Sequence, residues 1–371
     1  MSGQVTSAYR VREARQDDNE GILQLLADNP QPGPVNLAFE RSPDYFHGAS
    51  VSSFDPTVFV IEQPDQKNLV GVYNIGSRDL FVNGDVQKVH YAHDFRIDPK
   101  ARGGEAIFMA YDRGRRILET APWTQAVILA DNEHYLRSVR KRMAGLPAFY
   151  AAGDIRTSLL TGRKRRLRHN EGLNIRMATR NDLGAMQAFY DREASRRQFA
   201  PVYRFADVAE KHPYYRGLDL SDFWLAFDGD ELVGLAGTWD QKGFRQTRVA
   251  GYNRSLKLAR PLYNGWSRMT GGMRLPATGE CFNYRMIHTV MVREHDPLIL
   301  DALLSHLHRC YGPYYDALIC AFFEGDAAEN ILAGFSRRVM HSHHFLMTWG
   351  EADPTASLDA GLPLHADVAR L

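Results

Sequence analysis

Residues 89–106, VHYAHDFRIDPKARGGEA, decide how the sequence is interpreted. Residues 89–97 are rich in aromatic and branched side chains and predict a strand, which ends before Pro99. A helix is predicted over residues 104–120, with apolar side chains at helical spacing. A helix N-terminus offers unpaired N–H groups and a partial positive charge, and glycines let a backbone approach closely. The strand, turn and helix therefore predict an anion site suited to a pyrophosphate.

The order of elements around this junction occurs twice in the chain. Residues 11–18 predict a short strand that enters a helix, and residues 175–182 repeat this pattern 164 positions later. The triplet Leu-Val-Gly at 69–71 recurs at 232–234. Matching elements in the same order, at a nearly constant offset, indicate a tandem duplication.

The repeated order of strands and helices predicts an α/β fold, a mixed sheet with helices on both faces, in two tandem copies. The strand at 89–97 has its counterpart at 284–292, and the larger offset there indicates an insertion in the second copy. The predicted division is a first domain at 1–160, a linker at 161–172, a second domain at 173–350 with the insertion at 240–282, and a tail at 351–371 that lies extended over the surface.

The junction resembles the signature of the Gcn5-related N-acetyltransferase (GNAT) family, in which Val-x-Pro and then Arg-Gly-x-Gly join a strand to a helix. Residues 97–99 stand in place of Val-x-Pro, and Arg102-Gly103 lies at the expected distance. The resemblance implies two tandem GNAT-like domains and acetyl-coenzyme A (acetyl-CoA) as co-substrate. The coenzyme contacts that it implies are Phe95, Arg96 and Ile97 along the pantetheine arm, Arg102, Gly103, Gly104, Glu105 and Ala106 at the pyrophosphate, and Asn132 after the next strand.

The sequence departs from the family pattern at three places. Glu105 occupies the position of the usual second glycine, and Val139 stands where the family often has a tyrosine that acts as acid. Tyr135 is the nearest substitute for that tyrosine and is the candidate catalytic acid. Residues 292–297 of the second copy contain no glycine. The resemblance therefore implies one active copy and one degenerate copy that buttresses it or shapes the acceptor pocket.

Acyl transfer to an amine needs a positioned carbonyl and acid–base assistance. His93 and Asp94, on the strand before the turn, are the candidate bases. Because neighbouring residues of a strand point to opposite faces, at most one of them is expected to face the cleft. Each also has a structural alternative, Asp94 as a salt-bridge partner and His93 as a hydrogen-bonded core imidazole.

Composition narrows the choice of partners and compartment. The net charge of +1 counts against a chain whose main partner is nucleic acid or a membrane, although it leaves a local basic patch open. No apolar stretch approaches the roughly 20 residues that span a bilayer. Three cysteines without a C-x-x-C pair fit reduced thiols and a cytoplasmic protein. No metal is expected, although His341 and His343 share a strand face that could hold one.

The sequence therefore predicts an N-acetyltransferase that acts on the amine of a small molecule, an amino acid or a peptide. Two alternatives stay open, a non-catalytic acyl-CoA sensor and a transferase that uses aminoacyl-tRNA. Basic and aromatic residues alternate in the insertion. They fit either an anionic partner or a helical arm whose aromatic rings pack on the neighbouring domain. No pattern specifies the acceptor or the oligomeric state.

Overall fold

A computed structural model of the chain describes residues 8–65, 68–101, 104–141, 143, 145–163 and 172–371. The strands are β1 Arg10–Glu13, β2 Val35–Glu40, β3 Phe54–Gln63, β4 Asn68–Val82, β5 Asp85–Ile97, β6 Thr124–Leu129, β7 Ala148–Arg163, β8 Leu173–Met177, β9 Ala200–Pro201, β10 Phe223–Asp228, β11 Glu231–Trp239, β12 Gln246–Tyr252, β13 Tyr284–Val292, β14 Ala317–Phe323 and β15 Phe335–Thr348. The α-helices are α1 Asn19–Asp28, α2 Tyr45–Ser52, α3 Gly104–Leu118, α4 Glu133–Arg140, α5 Leu183–Ala194, α6 Phe205–Ala209, α7 Arg254–Thr270, α8 Pro297–Tyr311 and α9 Ala328–Leu332.

A continuous mixed sheet crosses the molecule in the order β1-β3-β4-β5-β6-β15-β7-β14-β13-β11-β10-β8, with β9 on the far part of β4. The order is symmetric about its middle, so each strand of the first half has a counterpart in the second. The last strand of each half is exchanged: β7 pairs with β14, and β15 pairs with β6 and β7. The predicted α/β fold is thus present, and each half completes the sheet of the other.

The duplication extends to individual side-chain contacts. Arg12 donates two hydrogen bonds to Asp18, at 2.7 and 2.8 Å. Arg176 donates two to Asp182, at 2.9 and 2.7 Å, 164 positions later. A bidentate pair of this kind fixes the entry of the chain from strand to helix. The same local device therefore starts both halves.

The hairpin between β4 and β5 places β5 in the interior of the sheet. Asn83 and Gly84 connect the two strands with φ of 54° and 89°. Positive φ at both central residues defines the type I′ turn that the Asn-Gly pair favours. Helix α3 packs back against β4, where Gly114 lies so close that a Cβ would approach Ile75 Cδ1 to 3.0 Å. Tyr73 of β4 secures the helix by donating a hydrogen bond to the Ala110 carbonyl.

The insertion links the two halves. Its strand β12 pairs with β2 in a separate two-stranded sheet, and α7 follows directly. Within the described residues, no helix is both long enough and apolar enough to cross a bilayer. The predicted boundaries of the two domains stay predictions, and most of the linker lies outside the described residues.

The predicted surface tail at 351–371 is exposed over most of residues 351–363, but its end enters the core, contrary to the prediction. Residues 365 and 367–370 are buried, and Arg370 is only 1% exposed. Its guanidinium lies 3.7 Å from the ring centroid of Tyr214 and donates to the Tyr214 carbonyl at 2.7 Å. Aromatic faces and backbone carbonyls can accommodate a buried guanidinium, which explains how a charged segment enters the core.

Candidate active site

Strands β5 and β6, both fully described, run side by side over only a short stretch. They pair in parallel at His90 with Thr124 and at Tyr91 with Gln125. Beyond this point β5 continues along β4, whereas β6 continues along β15. The strands therefore diverge towards their carboxyl ends. We call the gap between residues 92–97 and 126–129 the wedge, and α3 begins just past its open end.

A β-bulge interrupts β5 at the wedge. The register against β4 shifts between Val72 and Asn74, so that two residues of β5 face one residue of β4. Asp94 has a φ of 54°, a left-handed conformation that is uncommon outside glycine. The expectation that His93 and Asp94 point to opposite faces is wrong, because the bulge breaks the alternation. His93 Nδ1 instead lies 3.5 Å from Asp94 Oδ2.

Asp94 is the centre of a largely buried polar cluster. Arg41, which follows β2, donates to Asp94 Oδ1 at 2.9 Å, and the Tyr45 hydroxyl lies 3.5 Å from Oδ2. Burial would raise the pKa of Asp94, but the Arg41 charge and the His93 contact hold it well below its usual range. Asp94 is therefore a carboxylate at neutral pH and is already engaged with a cation. This suits it to orient His93 better than to accept a proton.

His93 has the properties of a neutral base. Burial lowers its pKa, and the hydrogen bond to Asp94 opposes this only in part. Its Nε2 is buried and has no hydrogen-bond partner among the described residues. Asn74 pairs with His93 across the strands. Its side-chain Oδ1 and Nδ2 are also buried without a hydrogen-bond partner among the described residues. Because an unsatisfied buried polar group costs about 1–3 kcal/mol, these atoms point to a position where a polar ligand or water binds.

Three of the five residues of the predicted pyrophosphate cradle are described. Arg102 and Gly103 lie outside the described residues. Gly104 and Glu105 are exposed at the start of α3, and Ala106 is fully buried in the core. A Cβ built at Gly104 would meet no described atom within 4 Å. The first turn of α3 is therefore packed against the core through Ala106 and exposed to solvent at Gly104. A pyrophosphate site requires this combination.

Aromatic rings line the α3 side of the wedge. Phe95 stacks on Tyr111 and on Tyr135, with 5.9 Å between ring centroids in both cases. The two tyrosine hydroxyls form a hydrogen bond with each other. Burial raises the pKa of Tyr135 to about 12, although the bond from Tyr111 opposes the shift. Tyr135 is therefore protonated at neutral pH, and it lies beside Phe95 of the wedge.

The remaining predicted coenzyme contacts lie around the same gap. Ile97 is buried in the core that holds α3, and Arg96 Nη1 donates to the Phe95 carbonyl at 3.2 Å. Asn132 precedes α4, and its side chain does not cap that helix. Val139 is buried against Ile128, so the position of the family tyrosine serves packing here.

Several polar residues of the cluster were not predicted from the sequence. Arg41, Tyr45 and Asn74 lie in stretches without a recognisable motif, and only the fold brings them to His93 and Asp94. Arg245 comes from the insertion of the second half. Burial lowers the pKa of Arg245, and the positive charge of nearby Arg41 lowers it further. The second half therefore contributes directly to the surroundings of this site.

The corresponding gap in the second half is closed. Strands β13 and β14 pair at three positions and then diverge, as β5 and β6 do. A short 3₁₀ turn at Val368–Arg370 contacts both strands, and Gln241 donates to the Ala369 carbonyl at 2.9 Å. Helix α8 begins with Pro297 and is capped by Asp296, which accepts from the Leu298 amide. A carboxylate thus occupies the helix end where a phosphate would bind.

This asymmetry predicts the stoichiometry of coenzyme binding. We expect one acetyl-CoA per chain, because among the described residues only those of the first half combine an open gap with an open helix terminus. Isothermal titration calorimetry measures the number directly. Two equivalent sites per chain would contradict the assignment of the second half as degenerate.

His341 and His343, the histidine pair near the end of the chain, lie on β15, where His343 contacts an acidic side chain. His343 Nδ1 lies 2.6 Å from Asp154 Oδ1, a contact on the surface of the sheet. In the part of the chain that the structure describes, no three His, Cys, Asp or Glu side chains converge as metal ligands would.

No protein-family model and no curated protein matches the chain. Solved structures do. A GCN5-related N-acetyltransferase from Sphaerobacter thermophilus aligns with a TM-score of 0.57 and 14% identity, over 95% of this chain and 99% of that one. Saccharomyces cerevisiae N-myristoyltransferase, solved with bound myristoyl-CoA, aligns with a TM-score of 0.60 and 10% identity, over 98% of this chain and 86% of that one.

A third similar structure is a GCN5-related glucosamine N-acetyltransferase region of a fungal multi-domain GH3 β-N-acetylglucosaminidase. It aligns with a TM-score of 0.61 and 10% identity, over 92% of this chain. The chain spans only 38% of that protein's length. At such identities the likeness establishes the fold, and the predicted resemblance is confirmed at that level: the chain has the GCN5-related N-acetyltransferase fold in a tandem arrangement.

Proposed function

We propose that the protein is an acyltransferase that moves an acyl group from coenzyme A to an amine. The proposal rests on the wedge, which opens between the parallel strands β5 and β6. Helix α3, whose first residue is Gly104, begins just beyond it. An extended pantetheine arm suits the edges of two diverging strands, because its amide groups can hydrogen-bond to backbone. A pyrophosphate suits the helix terminus. The proposed acyl group is acetyl and the proposed compartment is the cytoplasm.

The acceptor amine is proposed to enter on the face of β5 where Tyr45 of α2 contacts Asp94. There the amine nitrogen attacks the thioester carbonyl, a C–N bond forms and the C–S bond breaks. His93 Nε2 takes the proton from the nitrogen, and Tyr135 gives its hydroxyl proton to the departing thiolate. Asp94 holds the imidazole with Nε2 free to accept. Small molecules, amino acids and peptides remain the proposed acceptors.

A thiol-release assay with acetyl-CoA and a panel of amines tests the proposal. Turnover with at least one amine is expected. An acetyl-CoA-dependent rise in melting temperature without turnover on any amine would favour the sensor. Binding of aminoacyl-tRNA without any response to acyl-CoA would favour the aminoacyl transferase. The absence of both turnover and a melting shift with every acyl-CoA would refute the proposal.

Removing the Tyr135 hydroxyl separates the acid role from packing. Tyr135→Phe should lower kcat by roughly 100-fold, the lower range for loss of a general acid. KM for acetyl-CoA should stay nearly constant, because the ring still stacks on Phe95. Tyr111→Phe is the matched control, since it breaks the same hydrogen bond from the other side. Equal losses in both variants would mean that the bond supports structure and that Tyr135 is not the acid.

A further inference from the structure

Helix α7 presents the three most exposed large apolar side chains in the described part of the chain, together with an exposed tryptophan. Leu258 and Leu262 are each 80% exposed, Trp266 is 63% exposed and Met269 is 87% exposed. Their spacing of four, four and three residues places them in one stripe along the helix. Isolated exposed apolar residues are ordinary, but a continuous stripe that includes a tryptophan indicates a binding surface.

The exposure is not a consequence of a loosely held helix. The opposite face of α7 packs through Leu256 and Tyr263 onto a small core that includes Leu275. Asn264 exchanges two hydrogen bonds of 2.9 Å with the backbone of Leu275. The Ser267 hydroxyl donates to the Met273 carbonyl at 3.0 Å. These contacts hold the inner face of α7 against the protein, so its apolar stripe faces the solvent.

Cations accompany the stripe. Arg254, Lys257 and Arg268 are exposed and, at 100° per residue, fall on one side of the apolar stripe. The sequence from residue 241 to 279 contains no aspartate or glutamate, and α7 itself carries four basic residues. In a chain of net charge +1, this is a strongly biased segment. Its charge complements an anionic surface.

We propose that α7 docks the protein on an anionic lipid membrane, lying in the plane of the interface. The apolar stripe would enter the boundary between headgroups and acyl chains, while the neighbouring cations meet anionic headgroups. Leucine and tryptophan on one face of a surface helix, with arginine and lysine beside them, form the pattern of interfacial helices. The net charge of +1 led us to expect no membrane partner. The proposal replaces that expectation, because it rests on the local charge of α7. The proposal rests on α7 and is independent of the acyl-transfer reaction.

Vesicle sedimentation of the full chain tests the proposal. Vesicles of phosphatidylcholine with about 30 mol% phosphatidylglycerol should bind the protein, and vesicles of phosphatidylcholine alone should bind it at least about ten-fold more weakly. Leu262→Glu should abolish binding, whereas Leu298→Glu, at an exposed position of α8, should not. The double variant Lys257→Glu and Arg268→Glu should weaken binding to anionic vesicles by at least about ten-fold, whereas Lys88→Glu should leave it unchanged.

Tryptophan fluorescence gives a second measurement. Trp123, Trp224 and Trp239 are buried, and Trp349 is half-buried against the core that holds α3. Quenching by brominated lipid should therefore report mainly on Trp266 and be largely lost in Trp266→Phe. The proposal fails if anionic vesicles do not bind the protein, or if Leu262→Glu leaves binding intact. It also fails if size-exclusion with light scattering shows a dimer that Leu262→Glu dissociates while vesicles bind neither form. Unchanged melting temperatures show that these surface variants are folded.

Discussion

Replacing Gly104 with glutamate should abolish the rise in melting temperature that acetyl-CoA produces. The new side chain would stand in the open space at the start of α3, where the pyrophosphate is proposed to bind. Its carboxylate would repel the phosphates and its bulk would prevent close approach to the helix amides. We expect the KM for acetyl-CoA to rise roughly 100-fold, which corresponds to about 2.7 kcal/mol of binding free energy.

The same substitution should leave the free protein as stable as before, or slightly more stable. A Cβ at Gly104 meets no described atom within 4 Å, and a carboxylate in the first turn interacts favourably with the helix dipole. Gly184→Glu is the matched control, since Gly184 also lies in the first turn of a helix, α5, and also has open space around it. A full acetyl-CoA shift in Gly104→Glu would show that the coenzyme does not use this helix terminus.

Local patterns predicted the parts of the fold that depend on neighbours in sequence. The Asn-Gly pair at 83–84 forms the type I′ turn that such a pair favours, because the turn chemistry needs only two residues. The start of each half was readable because the strand-to-helix entry repeats along the chain, and the structure shows the same Arg–Asp pair in both. The helix after the glycine turn ends at Leu118, two residues before the predicted end.

The exchange of β7 and β15 had no local signal. The pairing of the two strands joins residues such as His343 and Asp154 that lie far apart in the chain. Which half a strand completes depends on long-range contacts, and no pattern within the strand encodes them. The buried end of the chain escaped prediction for a related reason. Polar residues such as Arg370 are normally exposed, and only the aromatic partners supplied by the other elements make burial favourable.

The candidate site was predictable in its residue types and not in its geometry. His93 and Asp94 stood out on a strand next to the glycine turn, but strict alternation assigned them to opposite faces. One bulge, at a non-glycine residue with positive φ, changes that relation and joins them into one cluster. Arg41 comes from a distant segment without a motif, so its ion pair with Asp94 could emerge only from the folded chain.

The second large effect is expected at His93. His93→Gln should lower kcat by roughly 100- to 10,000-fold, the usual contribution of a general base, while the amide keeps a similar size in the cluster. His90→Gln is the matched control, because His90 lies on the same strand and bonds Thr120 away from the wedge. A loss of the same size in both variants would mean that the strand, and not the His93 imidazole, limits the reaction.

The pH dependence tests the base role further. Burial lowers the pKa of His93 below its ordinary value of 6.5, so it is unprotonated at neutral pH, and kcat at saturating amine should fall only at pH values below 6.5. His93→Gln should lose this acidic limb. The unfolded chain takes up a proton near pH 6.5 that the folded chain resists, so His93 contributes stability above that pH and loses it as the pH falls. The variant should therefore be less acid-sensitive in unfolding as well as in turnover. A low kcat with an unchanged acidic limb would assign the proton transfer to another group and leave His93 a structural imidazole held by Asp94.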